Sequence, residues 1–142
     1  MNTSDKILWP ILIILLITVF ILKIENDRLQ QNIDNVYITA IGNCIDGLSR
    51  DYDLVNDIEK TQLYYSSLYN LETAIDVFNQ TTYKENNDLF FSLNNLHTYL
   101  YLRQNPNDNF EIKNRSSIYD FLTNIIADSK YNPKINEFDS LE

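Results

Sequence analysis

Ile7 to Leu22 reads ILWPILIILLITVFIL, sixteen consecutive residues without a charge, closed by Lys6 before and Lys23 after. At a helical rise of about 1.5 Å per residue the run covers roughly 24 Å. A bilayer's hydrocarbon core is roughly 30 Å thick. Ile24 extends the apolar face, and the two lysines can reach the headgroups with their stems in hydrocarbon, so a span is feasible. Trp9 stands at one end, where an indole prefers the interface. Pro10 is expected in the first turn, where its missing N–H breaks no helical bond. A core helix of a globular domain keeps a polar face, and this run has none. A cleaved signal peptide needs small residues at its exit, and Phe20-Ile21-Leu22-Lys23-Ile24-Glu25 offers none. The expectation is an uncleaved signal-anchor over residues 7–23, preceded by a short flank, 1–6. The flanking charges nearly balance: Lys6 and the α-amine against Asp5, then Lys23 and Arg28 against Glu25 and Asp27. Long domains translocate largely regardless of charge. The N-terminus is therefore expected in the cytoplasm and residues 24–142 outside the cell membrane.

Beyond Lys23 the pattern turns amphipathic. Leu29, Ile33, Val36/Tyr37, Ala40/Ile41, Cys44/Ile45 and Leu48 recur at helical spacing with no breaker before them, so the first helix is expected to run on to about Leu48. Gly47 reads as its C-terminal cap. A second helix is expected over Leu54 to Asn79, capped by Asp51 or Asp53, with Leu54, Ile58, Tyr65, Leu68, Leu71, Ile75 and Phe78 inward. A third runs from Glu85 to Arg103 on Leu89, Leu93, Leu96 and Leu100, with Asn86 or Asn87 as an alternative cap. Gln104 to Asn114 reads as a loop. Ser117-Ile118-Tyr119-Asp120 resembles a short capping box opening a fourth helix, with Ile118, Phe121, Leu122, Ile125 and Ile126 inward. The fold class is all-α: one transmembrane helix continuing into an antiparallel bundle of about four helices over 24–130, with a frayed tail at 131–142.

Composition supports that class and closes others. Only 2 Gly and 3 Pro occur in 142 residues, too few for the turns of an all-β fold. Eleven Lys+Arg face 20 Asp+Glu, a net charge of −9 without a basic stripe, which excludes a general nucleic-acid binder. The same sign argues against a domain lying flat on anionic lipid. Cys44 is the single cysteine, so neither an internal disulfide nor a cysteine zinc site is available. Richness in Asn and Ile, with 10 Tyr, is the bias of an AT-rich coding sequence, as in a low-GC Gram-positive bacterium or its phages. No residue pattern resembles a known family, and no internal repeat stands out.

The chemistry-bearing residues are few. Nucleophilic catalysis would need Cys44 beside His97, the one histidine. The plainer reading makes Cys44 a small core residue and places His97 at the edge of an apolar stripe. Asp46, Asp51, Asp53, Asp57 and Glu59 cluster, but lack the loop glycine and terminal glutamate of a calcium loop. Asn105, Asn107 and Asn109 imitate such a loop's alternation, with Phe110 where glycine is required. Asn79-Gln80-Thr81 and Asn114-Arg115-Ser116 fit glycosylation sequons, which arise by chance in an Asn-rich chain. No catalytic, cofactor-binding or metal-ligating residue is assigned, and no cofactor is expected.

Tyrosines remain. Tyr64, Tyr69, Tyr99 and Tyr101 are candidates for a partner-docking face, since tyrosine buries much area at low entropic cost. The function expected is a membrane-anchored, non-enzymatic module that binds or regulates another protein at the membrane surface. Its partners would be membrane lipid, through residues 7–23, and that protein. An extracytoplasmic ligand-sensing bundle, with a pocket lined by Tyr and Leu, and a self-associating structural membrane protein are the alternatives.

Overall fold

The computed structural model describes residues 3–49, 54–102 and 115–127, with side chains from Leu8 onward. Four helices and no strand occur among them: α1 (Thr3–Gly47), α2 (Asp57–Phe78), α3 (Asn87–Leu102) and α4 (Arg115–Ala127). The chain divides into two compact units, Met1–Asn32 and Ile33–Glu142.

The first unit is the leading part of α1. Its most apolar 18 residues reach a mean hydropathy of 2.4, and none of them is buried. Large apolar side chains from Leu8 to Leu22 are 48–64% exposed on every side of the helix. By length and composition, α1 is the one helix among the described residues able to cross a membrane. Its only hydroxyl in that stretch, Thr18, donates to the Ile14 carbonyl at 2.9 Å, which keeps the polar group off the apolar surface. Because α1 starts at Thr3, Pro10 lies inside the helix rather than in its first turn, and one i to i−4 bond is missing there.

The second unit is a four-helix bundle. Cross-contacts fix its direction. Asn43 of α1 donates to Asn70 of α2 at 3.3 Å, Ser67 Oγ lies 3.1 Å from the Cys44 carbonyl, and Asp34 reaches forward to Thr82 just beyond α2. α1 and α2 are therefore antiparallel. Tyr64 meets Leu100 while Phe78 meets Phe90, so α2 and α3 are antiparallel too. Arg115 donates to the Ser49 carbonyl, and Ile126 lies beside Gly42, which runs α4 against α1. The order is up-down-up-down.

One apolar core joins Tyr37, Ile41, Cys44 and Leu48 of α1 to Leu71, Ala74 and Phe78 of α2, Leu89 to Leu100 of α3, and Ile118 to Ile125 of α4. Each fully buried Leu or Ile adds roughly 1.5–3 kcal/mol. The four leucines read inward in the third helix are all buried. Gly47 has a different role from the one its sequence position suggests. It is the last residue of α1 and keeps a helical backbone, and a Cβ there would collide with Ser67 Oγ and approach the Leu63 carbonyl oxygen to 2.8 Å. Its value is closeness to α2, not left-handed freedom.

The helix starts differ from expectation in two places. Asn56 caps α2: its Oδ1 accepts from Ile58 N at 3.1 Å and Glu59 N at 3.0 Å. Asp51 and Asp53 lie outside the described residues. α3 starts as the alternative cap implies, with Asn86 Oδ1 accepting from Leu89 N at 3.0 Å. α4 begins at Arg115, so Ser117 stands within the helix and caps nothing. The expected loop 104–114 and tail 131–142 also lie outside the described residues.

The turn between α2 and α3 is held from both sides. Thr81 Oγ1 donates to the Phe78 carbonyl at 2.7 Å and accepts from Tyr83 N at 3.1 Å. The Asp34 carboxylate accepts from Thr82 N at 2.9 Å and Thr82 Oγ1 at 2.8 Å.

Candidate interaction surface

The sulfur and imidazole side chains are placed where chemistry is difficult. Cys44 is fully buried, and burial pushes its thiol up to about 12, so almost no thiolate exists near neutral pH. No hydrogen bond joins it to His97, which is half-buried and stacks on Tyr101 with ring centres 6.1 Å apart. Among the described residues, no three of His, Cys, Asp and Glu converge on a common point. Asn105, Asn107, Asn109 and Phe110 lie outside those residues.

The tyrosines separate by environment. Tyr64 is buried, and its hydroxyl donates to the Leu100 carbonyl, tying α2 to the end of α3. Tyr37 is fully buried with its hydroxyl unpartnered, edge-on to Phe78 at 5.8 Å and beside Tyr83 at 5.3 Å. Burial raises the phenol pKa of Tyr37, and burial with the Asp34 carboxylate nearby raises that of Tyr83. Tyr99 is half-buried against the core, while Tyr101 is exposed. Tyr64 therefore leaves the docking candidates, and Tyr69 and Tyr101 remain exposed.

Tyr65 takes the place that Tyr64 was expected to hold. The inward face of α2 is Tyr64, Ser67, Leu68, Leu71, Ala74 and Phe78. That face is about one residue around the helix from a stripe through Leu54, Ile58 and Tyr65. Those three are exposed instead, at 83%, 73% and 44%, and Tyr69 at 68% joins them. Ile126 of α4, also read as inward, is largely exposed. Ile58, Tyr65 and Tyr69 stand at i, i+7 and i+11, one face of a helix, and span about 16 Å along its axis. Glu72 and Asp76 continue that face two turns beyond Tyr65 and Tyr69, both exposed. The signal in the sequence was a surplus: α2 carries two apolar stripes, and a surface helix of a bundle can bury only one.

Two shallow hollows flank the bundle. One, of about 320 Å³, lies between α1 and α2 and is lined by Asn35, Val36, Thr39, Ala40, Asn43, Asn70 and Thr73. The other, of about 210 Å³, is lined by Leu48, Arg115, Ser116, Tyr119 and Asp120. Neither has the Tyr and Leu lining expected of a sensory pocket, apart from one residue of each kind in the second. Comparison with protein-family models, curated proteins and solved structures returns no match.

Proposed function

We propose that this chain is a non-enzymatic, membrane-tethered helical module that binds another protein through the Ile58–Tyr65–Tyr69 face of α2. Residues 7–23 act as a signal-anchor, with the N-terminus in the cytoplasm and residues 24–142 outside. The observation that carries the reading is the pairing of an uncovered, wholly apolar segment of α1 with a second uncovered apolar stripe on α2. Large apolar and aromatic side chains gathered on one exposed face of a folded domain support an interaction site there. Tyrosine is among the residue types enriched at the centres of such sites. The Cys44 thiol is fully buried and burial pushes its pKa up to about 12, which gives little support to a competing reading that uses it as a nucleophile.

Two measurements test this. Tags at each end, read by protease access in intact cells, should leave the N-terminal tag protected and the C-terminal tag cleaved. A protected C-terminus refutes the orientation. A photo-crosslinking amino acid at Tyr69 of the full chain in cells should give a discrete protein adduct that Tyr65→Ala with Ile58→Ser abolishes. Absence of any adduct at Tyr69, with the chain folded and membrane-bound, removes this face as a docking site.

A further inference from the structure

We infer that the partner segment docking on α2 is a basic amphipathic helix, bearing Lys or Arg at the end that meets Glu72 and Asp76. This rests on the proposal that the Ile58–Tyr65–Tyr69 face binds a protein. The face has two parts. Its first three turns carry the exposed Ile58, Tyr65 and Tyr69, with Gln62 between Ile58 and Tyr65, and its last turns carry Glu72 and Asp76 on the same side. Among the described residues neither carboxylate takes part in an ion pair; the salt bridge that forms there, between Arg28 and Glu25 at 3.8 Å, lies on α1. The only cation of α2, Lys60, falls on the opposite side of the helix. A rigid helix presenting anchors at these spacings fits a partner helix laid along it. Unpaired carboxylates at one end then select its charge.

Other occupants fit less well. An anionic bilayer surface and a nucleic acid meet like charge at Glu72 and Asp76, reinforced by a chain net charge of −9. A second copy offers the same two carboxylates, and in a two-fold pairing of this face they would meet Ile58 or each other, with no α2 cation on that side. A basic segment satisfies both parts at once, and the negative field would also speed its approach.

The test uses the full chain in phosphatidylcholine nanodiscs and two synthetic 18-residue amphipathic peptides of one pattern, one of Leu and Lys, the other of Leu and Glu. Empty nanodiscs give the lipid background. The Lys peptide should shift the amide resonances of Tyr65, Tyr69, Glu72 and Asp76. Its affinity should fall about tenfold on Glu72→Lys with Asp76→Lys, and should weaken as salt rises. Both positions are exposed, so the charge-reversed chain keeps its core, and its thermal midpoint checks this. Equal binding by the Glu peptide, or an affinity unmoved by charge reversal, overturns the inference. The crosslink at Tyr69 separates the two levels. An adduct whose yield survives the charge reversal leaves the docking face standing and refutes the basic partner. No adduct at all removes both.

Discussion

The two ends of α1 are built from similar side chains and use them in opposite ways. From Leu8 to Leu22, apolar residues occupy every side of the helix and none is buried. From Tyr37 to Leu48 they occupy one side, and Tyr37, Ile41, Cys44 and Leu48 are sealed into the core. What differs is period, not hydrophobicity. A helix apolar all round can be satisfied only by an apolar surround, whereas a striped helix can be satisfied by other striped helices. One continuous helix thus carries two answers to the same driving force.

Loss of core volume should give the largest separation between the regions. Leu96→Ala should lower the unfolding free energy of the bundle by about 2–5 kcal/mol, read by urea titration of the full chain in detergent. Leu15→Ala should leave that titration unchanged. Equal losses at the two sites would mean that Leu15 is packed against protein, and the contrast would fail. Leu15→Lys probes the other side: a central lysine opposes insertion by about 2.5–3.5 kcal/mol, so the chain should shift from the membrane fraction toward the soluble one. Unaltered fractionation would show that the segment is not held by lipid.

Smaller effects sharpen the account of the bundle. Gly47→Ala gains up to about 1 kcal/mol of helix propensity. The collision with Ser67 and the Leu63 carbonyl should outweigh it, for a net loss of about 1–3 kcal/mol in the same titration. A stabilised variant would return Gly47 to the role of a cap. Alkaline pH acts in the same unit. Cys44 and Tyr37 have folded pKa values raised above their ordinary 9.0 and 10.0, so the folded state holds protons that the unfolded state releases. Stability should be level below about pH 8 and fall as pH climbs past 9, by up to about 1.4 kcal/mol per pH unit for each group. Cys44→Ala should flatten the first part of that decline. Least in size, Tyr37→Phe removes a buried hydroxyl without a partner and should be neutral or stabilising by about 1 kcal/mol. A clear loss would reveal a partner for that hydroxyl.

How much was legible varies by helix, for reasons that can be named. α3 was open to reading because Leu89, Leu93, Leu96 and Leu100 form its one regular leucine row at core spacing. α2 was ambiguous because Tyr64 and Tyr65 are adjacent and chemically identical, so the inward stripe can be drawn through either. Tertiary contact broke the tie. Gly47 packs close against Ser67, and the Tyr64 hydroxyl donates to the Leu100 carbonyl, so this side of α2 faces the bundle. Tyr65 and Ile58 then have no choice but solvent. The start of α2 was misplaced because carboxylates and carboxamides cap equally well, and Asn56 stands among Asp51, Asp53 and Asp57. Tyr69 was visible as a surface residue, while its neighbours on the face were not.

From its residues alone this chain reads as helical, with an unstriped apolar front and striped helices behind, because periodicity and the scarcity of Gly and Pro are local properties legible before any packing. Which stripe of α2 is hidden, why Gly47 is glycine, and that the face of Ile58, Tyr65 and Tyr69 is left to solvent depend on how closely two helices approach. That distance is set by side chains far apart in sequence, so only the folded bundle decides it.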